Sequence, residues 1–172
     1  MNSIKLANEV FLPQVCTLVK EGHNVSINLK GNSMRPFLES DRDIGWLRFD
    51  TKFKKGQVVL AEINKGHFVL HRIDKIEVDG HIINGFCENI EAQVTLRGDG
   101  NPVGTERCRL KDIRALCYKV VRNGKECDLT KSKKWKLYSW YWTNTLFVRR
   151  YQLAAYRLIC RHELPKRWEK KK

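Results

Sequence analysis

No part of this 172-residue chain holds the ~20 consecutive apolar residues that a bilayer-spanning helix needs. Near the N-terminus, Asn8, Glu9 and Pro13 interrupt the apolar residues behind Lys5, so the uninterrupted core of a secretory signal is missing too. Neither a membrane anchor nor a secretory leader is therefore expected. Cys16, Cys87, Cys108, Cys117, Cys127 and Cys160 form no Cys-x-x-Cys pair and no zinc-finger rhythm. Reduced thiols in a cytoplasmic protein follow from that, with disulfides left open by the even count. His23, His67, His81 and His162 show no paired spacing, so no metal and no cofactor is expected. Internal repeats and low-complexity linkers are absent as well.

Negative charge is scarce, and its scarcity is local. The formal net charge is +14. Up to Thr130 the chain carries 20 basic and 17 acidic residues; from Lys131 onward it carries 13 and 2. A nearly neutral body is thus followed by a cationic tail. The length suits one domain with a real core. The expected division is an N-terminal helix over 1–24, a β domain over 25–130 and a basic, aromatic-rich helical tail over 131–172.

Hydrophobic periodicity supports this division. Phe11, Val15, Leu18 and Val19 recur at helical spacing between Ala7 and Gly22, with Pro13 as a candidate start. Val25 to Leu29 alternates as a half-buried strand. Val58–Ile63 and Phe68–Ile73 flank a hairpin turn at Asn64-Lys65-Gly66, and Ile76–Val78 and His81–Ile83 flank the two-residue turn Asp79-Gly80. Val94–Leu96, Ile113–Val121 and Cys127–Leu129 complete the set, the last two joined by Asn123-Gly124. Closely spaced strands with glycine turns predict a mainly β, α+β domain of antiparallel sheet. From Ser132 to Glu163 the period becomes helical, and Trp140, Phe147, Val148, Tyr151, Ala155, Leu158 and Ile159 fall near one face, with Arg149, Arg150, Arg157 and Arg161 mostly off it.

Two short stretches carry the candidate chemistry. Gly31-Asn32-Ser33-Met34-Arg35-Pro36 follows a strand end, and its proline stops any regular element, which suits an exposed serine nucleophile. Leu70-His71-Arg72-Ile73 offers a histidine on an apolar strand. A serine hydroxyl attacks a carbonyl at neutral pH when a base lies within hydrogen-bond reach, and His71 can serve. Read singly, a serine such as Ser33 is more often a turn serine, a histidine such as His71 a core histidine, and an arginine such as Arg72 a sheet support or carboxylate partner.

Taken in order, these stretches together with Lys55-Gly56-Gln57-Val58-Val59 and Arg97-Gly98-Asp99-Gly100-Asn101 resemble the boxes of the signal peptidase and self-cleaving repressor (LexA-like) superfamily. The resemblance runs from about Val25 to Val121. It is closest to the endoplasmic-reticulum-type branch, in which histidine stands where other members carry lysine. It implies a coiled set of small antiparallel β-sheets and a Ser/His serine endopeptidase with Ser33, His71 and Asp99 as catalytic residues. Glu106 is the alternative acid, because Gly100 is interposed in the glycine-aspartate-asparagine run and the later aspartate position falls near Gly104-Thr105. The Ser33 N–H is the natural oxyanion donor, and Gly31 replaces the second serine of many signal peptidases. The substrate expected is an extended peptide or leader segment, with small side chains near the cut. A self-cleaving repressor is disfavoured by the thirty-two residues ahead of Ser33. A secretory signal peptidase proper is the runner-up, and a catalytically silent peptide-binding or membrane-docking module of the same fold is the rival from another class.

The tail has its own readings. Trp135, Tyr138, Trp140, Tyr141, Trp142 and Trp168 among basic residues suit an interfacial helix on an anionic membrane surface, giving a cytoplasmic protein held peripherally at the inner membrane. Packing on its own domain or on a partner is the alternative. Nucleic acid is disfavoured, since the basic residues accompany a helix that has an apolar face to bury.

Overall fold

The computed structural model describes residues 8–101 and 103–159. Its elements in chain order are helix α1 (Asn8–Lys20), strands β1 (Val25–Asn28), β2 (Asp43–Arg48), β3 (Val58–Asn64), β4 (His67–Val78), β5 (His81–Ile82), β6 (Gln93–Arg97), β7 (Glu106–Arg109), β8 (Ile113–Arg122) and β9 (Lys125–Asp128), and helices α2 (Lys133–Asn144) and α3 (Leu146–Ile159). Every strand pairing is antiparallel. The architecture is α+β around one open sheet in the order β1-β2-β8-β3-β4-β6-β7, with β5 on β4 and β9 on β8.

The expected set of small sheets is one continuous sheet, and β4 is the reason. Its twelve residues outrun the predicted Phe68–Ile73 strand: the first half pairs with β3 and the second with β6, across a register shift between Ile73 and Lys75. Alternation along β3 then makes two cores. Val58 and Leu60 join Val15, Val19, Leu47 and Met34 on one face, while Val59 and Ala61 join Phe53, Ile73, Leu96 and Leu116 on the other. A strand buried on both faces reads as a continuous apolar run, as Val58–Ala61 does.

Local signals hold where the conformation is local. Asp79-Gly80 and Asn123-Gly124 carry paired positive φ angles, the requirement of the tight hairpin turn. Gly22, at φ +94, ends α1. The helix nevertheless runs through Pro13 instead of starting there. Val15 and Val19 are buried by it, and Leu18 is left outside.

The tail departs most from its predicted pattern. One helix from Ser132 is broken at Thr145, because Thr143, Asn144 and Thr145 all turn their side chains back onto carbonyls of Ser139, Trp140 and Tyr141. The break resets the helical phase. Trp140, Phe147, Tyr151, Leu158 and Ile159, predicted on the buried face, are exposed, and the inward face is Trp135, Tyr138, Trp142, Arg149 and Leu153. Cys160, Arg161, His162, Glu163, Trp168 and the closing lysines lie outside the described residues, as does Ala7.

Candidate active site

Ser33 sits in a run of turns between β1 and β2, entered through Gly31 at φ +97. Met34, Phe37 and Leu38 are buried beneath it and fix the loop to the first core. Arg35 N–H donates to the Asn32 carbonyl and Leu38 N–H to the Met34 carbonyl, so the loop is a folded turn. The loop's exit is anchored by Asp43, whose side chain is fully buried. Arg42 and Arg122 both donate to that carboxylate, as does the Glu39 N–H, and Arg122 also reaches the Phe37 carbonyl. Burial opposes the charged form of Asp43, but these hydrogen bonds outweigh it and hold the carboxyl below its usual range.

His71 lies on β4, 4% exposed. Its Nδ1 is 2.8 Å from Glu106 Oε2, at the start of β7. With Nδ1 occupied as donor to a carboxylate, Nε2 is the basic nitrogen. Ser33 and His71 line one cavity of about 520 Å³, whose apolar walls include Phe11, Leu12, Ile27, Met34, Phe68 and Leu70. No hydrogen bond joins the Ser33 hydroxyl to His71, and the Ser33 N–H has no acceptor among the described residues.

Asp99, the first-choice acid, is engaged elsewhere. Its carboxylate is fully buried and takes both forks of Arg72, Nε at 2.9 Å and Nη2 at 2.7 Å. The carboxylate that meets His71 is Glu106. Asp99 instead stiffens the floor of the serine loop: Gly100 N–H donates to the Ser33 carbonyl at 2.7 Å. A Cβ at Gly98 would overlap that same carbonyl oxygen, and one at Gly100 would stand 2.8 Å from the Asn32 carbonyl. The two glycines are what allow the Asp99 turn to lie flat against the serine loop.

Arg72 ties this assembly to the tail. Its Nη1 donates to the Gly56 carbonyl at 2.7 Å and to Ser139 Oγ of α2 at 2.6 Å. The guanidinium lies 4.4 Å from the Phe37 ring centroid. Phe37 stacks on Tyr138 at 5.1 Å, and Tyr138 on Trp142 at 5.5 Å. Trp142 Nε1 donates to the Asp99 carbonyl oxygen. α2 is therefore packed against the back of the candidate site. The 135, 138, 142 spacing is helical, and it is Trp142, not the predicted Trp140, that faces inward. Arg149, read as lying off the apolar face, is buried over Trp142 and donates to its carbonyl at the end of α2.

Among the described residues no cysteine lines the cavity that Ser33 and His71 share. Burial pushes Cys16 up to about 11 and Cys108 and Cys117 up to about 12, so these three are protonated at neutral pH. Cys16, Cys87, Cys108, Cys117 and Cys127 are free, and among the described residues no group of His, Cys, Asp or Glu is arranged to hold a metal ion. No described helix is long and apolar enough to cross a membrane. Neither a family model, a curated protein nor a solved structure matches the chain.

Proposed function

We propose that this chain is a serine endopeptidase of the signal-peptidase type, with Ser33 as nucleophile, His71 as base and Glu106 as the acid that orients His71. The observation that carries the proposal is the convergence of Ser33 and His71 on one cavity, with Nδ1 of His71 held by a carboxylate at 2.8 Å. Ser33 Oγ adds to the peptide carbonyl while His71 Nε2 takes its proton, and Glu106 stabilises the imidazolium that results. The Ser33 N–H, unclaimed by any described acceptor, meets the oxyanion. The imidazolium then protonates the leaving amine, and water releases the acyl-enzyme by the reverse route. The assignment keeps Ser33 and His71 in the roles expected of them and gives the acid's role to Glu106 in place of Asp99.

An extended peptide is the substrate this site suits. β1 ends the sheet, pairing with β2 alone, and runs directly into the serine loop. Its open edge has unpaired backbone groups to which a peptide can add as a further strand, carrying its scissile bond toward Ser33. Removal of a leader or signal segment from a precursor fits that geometry. The test is reaction of the folded protein with an active-site-directed serine acylator, followed by peptide mapping, in the parent chain and in Ser33→Ala and His71→Ala. One adduct on Ser33, lost in both variants, is the expected result. A folded protein that several acylators leave unmodified would make the chain a peptide-binding module instead.

A further inference from the structure

Both tail helices bury one side against the domain and carry an apolar stripe on the opposite side. On α2 the inner side is Trp135, Tyr138 and Trp142; at the opposite helical phase stand Leu137 and Trp140, 66% and 63% exposed. On α3 the inner side is Arg149 and Leu153, and the opposite stripe is Phe147, Tyr151 and Leu158, with Phe147 77% exposed. Packing on the domain covers one side of each helix and leaves the other in solvent. Apolar stripes of this size on a solvated surface mark a place that something else covers.

The flanking charge says what covers them. Lys133, Lys134 and Lys136 border the α2 stripe, and Arg150 and Arg157 border the α3 stripe; none of these five has a salt bridge among the described residues. From Lys131 to Ile159 there are seven basic residues and no acidic one. We infer that the outer faces of α2 and α3 lie in the headgroup layer of an anionic lipid bilayer, with Leu137, Trp140, Phe147, Tyr151 and Leu158 inserted and the lysines and arginines against the lipid phosphates. Tryptophan and tyrosine suit that depth because each joins an apolar ring to a polar handle. Over the described residues the helices run for twelve and fourteen residues, a length that can lie in the plane of the surface. Nucleic acid would match the charge, but gives Leu137 and Leu158 nothing to bury against. This inference is independent of the Ser33 chemistry.

Co-sedimentation of the full chain with vesicles tests it, using phosphatidylcholine alone and phosphatidylcholine mixed with phosphatidylglycerol. Binding is expected to the mixed vesicles, weakly or not at all to the neutral ones, and to weaken as salt rises. Trp140→Ser with Phe147→Ser, both at exposed positions, should lower the partition coefficient about tenfold or more with the thermal midpoint unchanged. Equal pelleting with both vesicle types, or binding retained in the double variant, would overturn the inference. So would a single-stranded oligonucleotide bound in preference to the anionic vesicles, or a dimer in solution that the same two substitutions dissociate.

Discussion

Replacing Asp99 by alanine should injure the fold, and its cost can be worked from the contacts around it. The carboxylate is fully buried and both oxygens are bound by a guanidinium that is itself 2% exposed. Removing it leaves Arg72 buried with the Gly56 carbonyl, Ser139 Oγ and the faces of Phe37 and Tyr138. Hydrogen bonds and ring contacts of that kind do not neutralise a charge, and breaking one side of a buried ion pair costs about 3–5 kcal/mol. In a chain of this length each 1 kcal/mol moves the thermal midpoint by about 2–4 °C, so a fall of roughly 6–20 °C is expected by circular dichroism. Arg72→Met added to Asp99→Ala should recover part of the loss, because the uncompensated charge is then gone. A fall of less than about 2 °C in the single variant would refute the account of Asp99 as a structural anchor.

The other two predictions concern the acid that meets His71 and the anchor at the loop's exit. Glu106→Gln keeps the shape of the side chain but removes the charge that stabilises imidazolium. Loss of the orienting carboxylate in a serine triad costs up to about 10⁴ in rate; Glu106 is 29% exposed, so water replaces part of it and a fall of about 10²–10⁴ in acylation rate is expected, with the fold intact by circular dichroism. An unchanged rate would remove Glu106 from the mechanism. Asp43 is held below its ordinary value of 3.8 in the folded chain. Its contribution to stability is therefore complete above that pH and is lost as pH falls through the lower folded value. Urea midpoints measured down this acid range should decline, and Asp43→Asn should be less stable at neutral pH with a shallower acid decline; parallel curves for the two proteins would contradict the assignment.

Much of the framework was determined by the sequence alone because it rests on local preferences. Asp79-Gly80 and Asn123-Gly124 favour positive φ wherever they stand, and an alternating or continuous apolar run declares a half-buried or doubly buried strand without reference to its neighbours. Flanking residues marked out Ser33 and His71 in the sequence, and both line one cavity in the fold. Tertiary structure alone decided which carboxylate meets the histidine. Arg72 pairs with Arg97 across β4 and β6, and Leu96 pairs with Glu106 across β6 and β7; that register carries Glu106 to His71 and leaves Asp99, two residues past Arg97, to Arg72. Register is a property of three strands at once, and no single stretch encodes it. The tail shows the same limit. Its helical period was plain, but the side it buries was set by the break at Thr145 and by Phe37 and Arg72, which present an aromatic and cationic surface that Trp135, Tyr138 and Ser139 are phased to meet, with Trp142 stacked on Tyr138.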